Sequence, residues 1–213
     1  LARLMADRGD RLFLLGRDTG ELEKSAHDLR QRAGREAVAG IGTCDLLEPD
    51  GFSSALAAAE EALGKIQTVI VTAAMFSPQE TLANDSQLTR RLLDVDFART
   101  VEFCEVTRRR LLASGGGTLC VFSSVAGERG RKSVVLYGAA KAGLTRYLEA
   151  LDHTYRSQRL VTVTVKPGFV KTGMTAGLDP PPFAGEPEPV ARRVLRAIDK
   201  GAPVVYAPSI WRW

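Results

Sequence analysis

Short apolar runs bounded by turn residues alternate with longer amphipathic stretches along almost the whole chain, and this alternation restricts the fold more than any other feature. The strand-like runs are Arg11–Gly16, Ala37–Ile41, Thr68–Thr72, Gly117–Ser123, Leu160–Lys166 and Pro203–Tyr206. Helical patterns fill the intervals at Thr19–Ala33, Pro49–Leu63, Ser86–Ala113, Val134–Tyr155 and Pro187–Asp199. Strand and helix in turn, at this spacing, give parallel strands joined by crossover helices. Right-handed crossovers then build an α/β fold, a doubly wound parallel sheet in three layers. The length of 213 residues fits one domain, residues 1–213.

Composition removes several function classes. Hydrophobic residues make up 45% and charged residues 25%, with a net charge of +4. That balance permits an anionic ligand or a membrane surface and requires neither. No run reaches the roughly 18 apolar residues of a membrane span. The three cysteines, Cys44, Cys104 and Cys120, are widely spaced among apolar or small residues, which suits buried thiols better than a disulfide framework or a metal site. His27 and His153 lie in charged helical surroundings and read as surface residues. Arg108, Arg109 and Arg110 read as a solvated helix end, so a nucleic-acid partner is not expected. Asp179-Pro180-Pro181-Pro182 must be loop, because each proline fixes its backbone and lacks an N–H.

Tyr137 and Lys141 form a Y-x-x-x-K pair, and a spacing of four puts both side chains on one helix face. A free phenol has a pKa of about 10. A neighbouring ammonium favours the phenolate and should lower that value, giving a usable general acid/base. Ser123 and Ser124 end the fourth apolar run, and Ser124 precedes Tyr137 by 13 residues. A hydroxyl there can donate to a substrate carbonyl, although serine is also common where strands end. Pro167-Gly168 closes the fifth run, with Thr172 four residues on.

The serine, the Y-x-x-x-K pair and the Pro-Gly strand end, in this order, resemble the short-chain dehydrogenase/reductase family, and the resemblance covers essentially the whole chain. It implies a Rossmann-type fold and an NADPH-dependent oxidoreductase that reduces a ketone to a secondary alcohol. It also implies that Ser124 polarises the carbonyl, that Tyr137 donates the proton, and that Lys141 holds the nicotinamide ribose. The backbone around Pro167, Gly168 and Val170, with the Thr172 hydroxyl, would hold the nicotinamide carboxamide. Asp45 would accept from the adenine amine, its alternative being a turn or capping aspartate. In this fold an acidic residue at a strand end binds the ribose of NAD, whereas a nearby arginine accommodates the NADP phosphate. Gly16 occupies the acidic place and Arg17 follows it, which favours NADP, while Asp18 is free to cap the next helix.

The chain departs from the family pattern in three places. Thr72-Ala73-Ala74-Met75 stands where an N-N-A-G-like turn is usual. Asp96 takes the place of a helix asparagine that completes the proton relay; an ionised aspartate only accepts hydrogen bonds, whereas asparagine also donates. Leu1–Arg8 reads as a helix end stopped by Gly9, with no strand and glycine-rich turn before it, so the fold is expected to lack its first strand and that turn, roughly 15–20 residues.

A narrower resemblance links Ser123–Ser133 and Pro203–Pro208 to bacterial reductases of polyprenyl-phosphoryl keto-pentoses. It implies a lipid-linked keto sugar, with Arg129, Arg131 and Lys132 near the pocket mouth and Glu128 beside them. The expected location is the cytoplasm, or the membrane surface for a lipid-linked substrate. The family's helix packing implies a homodimer or homotetramer, with Leu144, Tyr147, Leu148 and Leu151 offered as its face, the alternative being that they pack within this chain's own core. The alternative is a non-catalytic NAD(P)-binding sensor or subunit.

Overall fold

A computed structural model describes residues 1–212. All six expected strands form: β1 (Leu12–Gly16), β2 (Val38–Thr43), β3 (Thr68–Val71), β4 (Gly117–Phe122), β5 (Leu160–Pro167) and β6 (Val204–Ala207). Every pairing between them is parallel. The helices are α1 (Ala2–Asp7), α2 (Thr19–Ala33), α3 (Phe52–Leu63), α4 (Gln79–Asn84), α5 (Ser86–Leu93), α6 (Arg99–Ala113), α7 (Val135–Tyr155) and α8 (Pro187–Asp199). Helices α2, α1 and α8 cover one face of the strands, and α3, α6 and α7 the other. This is the expected three-layer arrangement. No helix among the described residues is long and apolar enough to cross a membrane.

The sheet is divided. One part has the order β1-β2 and the other β3-β4-β5-β6, and no strand among the described residues joins them. The second edges of β1 and β3 are therefore unpaired, and every residue of β1 is only half-buried, whereas β5 is buried along most of its length. Packing holds the parts together: Phe13 and Leu15 of β1 share one apolar cluster with Val69 and Val71 of β3, beneath α3, α6 and α7.

Alternation along each strand sorts its side chains between the two faces. Leu119 and Val121 of β4 enter the cluster under α6 and α7, while Cys120 enters the one under α8. Cys104 is buried as well, and burial pushes both thiols up, Cys120 to about 12. His27 and His153 are exposed.

Three expectations fail here. The helix expected over Ser86–Ala113 is broken by a π-helical turn at Asp94–Ala98. Leu144, Leu148 and Leu151 do not form an outward face; they are buried against this chain's own sheet, and the Tyr147 hydroxyl donates to Glu105 at 2.8 Å. Arg108 and Arg110 are not free solvated ends either. Arg108 pairs with Glu105 at 2.6 Å over the Tyr155 ring, and Arg110 pairs with Glu60 of α3 at 2.5 Å.

Candidate active site

Three segments at the carboxyl ends of β3, β4 and β5 meet the first turns of α7, which is where doubly wound sheets bind their ligands. The two adjacent serines diverge. Ser123 bonds into α7, reaching the Lys141 carbonyl at 3.0 Å and the Thr145 hydroxyl at 2.7 Å. Ser124 caps the turn Val125–Gly127 by accepting from the Ala126 N–H at 3.1 Å. Two glycines let this turn touch the helix. A Cβ on Gly127 would lie 2.7 Å from the Ala142 nitrogen, and one on Gly138 would lie 2.8 Å from the Ala126 carbonyl oxygen. The hydroxyl of Ser124 is thereby brought within hydrogen-bonding reach of Tyr137.

Lys141, 1% exposed, lies below the Tyr137 ring, its ammonium 5.6 Å from the ring centroid. It donates to the Phe122 carbonyl at 3.4 Å and stands 3.7 Å from Oδ1 of Asp96. The π turn delivers Asp96 to this point, because one extra residue in the turn rotates the side chain inward. Asp96 has no solvent exposure; its Oδ1 accepts from the Met75 N–H at 2.7 Å and its Oδ2 has no partner. The carboxylate thus ties the Thr72–Met75 segment to the lysine. Phe76 packs edge-on against Tyr137 at 5.4 Å.

Electrostatics here reverse one expectation. The Tyr137 phenol is pushed up to about 12, first by burial and then by the Asp96 charge, against a lowering contribution from Ser124. Lys141 does not bring it down, because Asp96 neutralises the ammonium. Lys141 itself is lowered by burial, with Asp96 opposing. Asp96 is raised by burial, with Lys141 and the Met75 N–H opposing.

The remaining predicted residues lie around this centre. Arg17 is exposed at the end of β1, and the neighbouring Asp18 caps α2 by accepting from the Glu21 N–H at 3.0 Å. Asp45 accepts from the Leu47 N–H at 2.9 Å, so one of its oxygens serves its own turn. Thr72 and Ala73 are exposed and Ala74 half-buried beyond β3. Pro167, Gly168 and Val170 are half-buried, and Thr172 forms a capping box with Thr175. The segment Ala176–Ala184 forms no helix or strand, as its prolines require.

Sequence reading missed two features. Lys166, 7% exposed, pairs with Glu128 at 2.7 Å and lies over the Tyr206 ring. The pair joins the end of β5 to the turn that carries Ser124. A lysine inside an otherwise apolar run was the available signal. The second is Trp211, whose indole lies against Gly168.

The residues fit the nicotinamide half of a dinucleotide: a phenol, an ammonium and a hydroxyl converge beside an open strand end. A glycine-rich turn for the pyrophosphate is not found among the described residues.

Residues 1–181 match the family model for short chain dehydrogenase. The chain is 30% identical over 208 residues to the uncharacterized oxidoreductase Rv2073c of Mycobacterium tuberculosis, covering 98% of this chain and 82% of that protein. It is 24% identical to carbonyl reductase family member 4 of Xenopus tropicalis, over 92% of this chain and 83% of the relative. Among solved structures, a short-chain dehydrogenase from Sphingobium yanoikuyae in complex with NADPH superposes with a TM-score of 0.84 at 25% identity, covering 98% of this chain and 82% of that one. The chain belongs to the short-chain dehydrogenase/reductase family, and its class of activity is that of an oxidoreductase.

Proposed function

We propose that this protein reduces a ketone to a secondary alcohol with NADPH. The observation that carries the reading is the convergence of Ser124, Tyr137 and Lys141 on one buried point beside the end of β5. The dinucleotide supplies the hydride. Ser124 donates a hydrogen bond to the carbonyl oxygen, and Tyr137 gives that oxygen its proton. A phenol pushed up to about 12 holds its proton across the physiological range, which suits a proton donor. Lys141 holds the ribose from below and Asp96 fixes the lysine. Arg17 meets the NADP phosphate, Asp45 the adenine, and Pro167–Val170 with Thr172 the carboxamide. Thr72–Ala74 line the floor.

The divided sheet fits one further parallel strand, whose following turn would complete the pyrophosphate site at the N-terminus of α1. A lipid-linked keto sugar remains a specific substrate within this reading, on the basic residues Arg129, Arg131 and Lys132. Assembly would use the outer face of α6 and α7, where Phe97 is exposed beside Gly143.

The test is NADPH oxidation by the full-length protein across a panel of ketones. Tyr137→Phe should lower kcat by at least about 100-fold and leave calorimetric NADPH affinity nearly unchanged. Unchanged turnover in that variant removes Tyr137 from the mechanism. Tight cofactor binding with no turnover on any ketone or alcohol favours the sensor reading.

A further inference from the structure

Lys166 and Tyr206 stand opposite each other across the β5–β6 ladder, so their side chains share one face of the sheet. Their neighbours Val165, Val205 and Ala207 enter the cluster under α8. Lys166 and Tyr206 therefore point to the α7 face, where the turn after β4 packs. There both oxygens of one carboxylate are engaged from the sheet. The Lys166 ammonium lies 2.7 Å from Oε1 of Glu128, and the Tyr206 hydroxyl donates to Oε2 at 3.4 Å. The ammonium also stands 5.3 Å from the centroid of the Tyr206 ring. Glu128 in turn ends the segment that Ser124 begins. Its N–H donates to the Val125 carbonyl at 3.2 Å, and the Gly127 N–H donates to the Ser124 carbonyl at 3.2 Å.

A 3₁₀ turn of three residues has few hydrogen bonds, of poorer geometry than those of an α-helix. The direction of the hydroxyl at its first position thus depends on what anchors the turn from outside. Gly127 and Gly138 seat one side on α7, and the Glu128 carboxylate fastens the other to β5 and β6. Lys166 is 7% exposed. Taking an ammonium out of water has a cost that attraction to its partner often fails to exceed, and apolar residues of similar volume often serve stability as well. What the pair adds is a single geometry. We propose that Lys166 and Glu128 are positioning residues for Ser124, aiming its hydroxyl through the 124–128 turn without touching substrate or cofactor. This role rests on the proposed function of Ser124 as donor to the carbonyl.

Lys166→Met with Glu128→Gln removes both charges and keeps both volumes. The double variant should melt close to the wild type, since neither charge is left unpaired. Hydrogen exchange of the free protein should show protection lost at residues 124–128 and kept along α7. In the full-length enzyme kcat should fall about tenfold, within the loss of about 100-fold that a 1 Å misplacement can cause. The KM for the ketone and the calorimetric NADPH affinity should stay nearly unchanged. In a Ser124→Ala background the same two substitutions should cost nothing further, because the group they aim is gone. Glu128→Gln alone, at a partly exposed side chain, is the second variant and should show the same kcat loss and the same dependence on Ser124. Unchanged kcat, unchanged protection at residues 124–128, or a full tenfold loss in the Ser124→Ala background overturns the positioning role and leaves the proposed function standing. Turnover that survives Ser124→Ala intact overturns the role of Ser124, and that of the pair with it.

Discussion

Asp96→Asn changes one atom and one charge at a position with no solvent exposure. The amide oxygen can still accept from the Met75 N–H, now bonded at 2.7 Å, so the π turn stays attached to the segment after β3. What disappears is the negative charge 3.7 Å from the Lys141 ammonium. Two unit charges at about 4 Å interact by about 4 kcal/mol at an effective dielectric constant of about 20. Tyr137 feels part of the same field, and the Asp96 charge is one of the two causes that push its phenol up. Removing it should lower the phenol by on the order of one pH unit, the low end of the shift a single neighbouring charge produces. In alcohol oxidation Tyr137 must act as the base, so the rate rises with pH as the phenol ionises. The rising limb of kcat/KM for oxidation should therefore move to lower pH in Asp96→Asn, by about one unit. The assay is the pH profile of NADP+ reduction by an alcohol, wild type against variant. An opposing effect exists: without Asp96 an ammonium at Lys141 is free to favour the phenolate, but Asp96 also favours that charged form, so the gain is lost if the lysine gives up its proton. A limb that stays in place or moves to higher pH would refute the argument that the carboxylate governs Tyr137 directly.

Three further outcomes follow from named contacts. Arg17→Ala should reduce the preference for NADPH over NADH by about ten- to hundredfold, the worth of a charge-assisted hydrogen bond; equal affinities in the wild type, by calorimetry, would remove the assignment. Glu128→Gln leaves the Lys166 ammonium without its counter-charge, and denaturant titration should show a loss of about 1–2 kcal/mol, below the value for a fully buried pair because Glu128 is partly exposed. In the same variant kcat should fall more than KM rises, since the Ser124 turn loosens; equal changes would place the pair outside the site.

The strands were legible because each is an apolar run between turn residues, and burial on both faces of a parallel sheet favours just such runs. Ser124, Tyr137 and Lys141 were legible by order and spacing, which survive any rearrangement of the loops between them. The π turn was not, since Leu92, Leu93, Val95 and Phe97 continue an apolar pattern and one inserted residue leaves no mark in composition. Helix α4 escaped because six residues after Pro78 are too few to show a period. The stripe of Leu144, Leu148 and Leu151 was read outward because a helix covering its own sheet and one covering a partner present the same periodicity. The direction of the Tyr137 shift depended on burial and on Asp96 reaching Lys141, and neither is written in the spacing of Tyr137 and Lys141.

The divided sheet also governs how the molecule comes apart. A hydrogen-bonded ladder fixes register residue by residue, whereas apolar packing is non-directional. The β1–β2 block, with α2, is joined to the rest through α1, α3 and contacts such as Arg8 to Asp199 at 2.8 Å, with no ladder across the seam. Among the described residues it is therefore expected to loosen before the four-stranded block does. A ligand lying along the carboxyl ends of the strands touches both units at once. Its binding energy then acts as a clasp, coupling two melting events into one and raising the stability of the weaker block with ligand concentration.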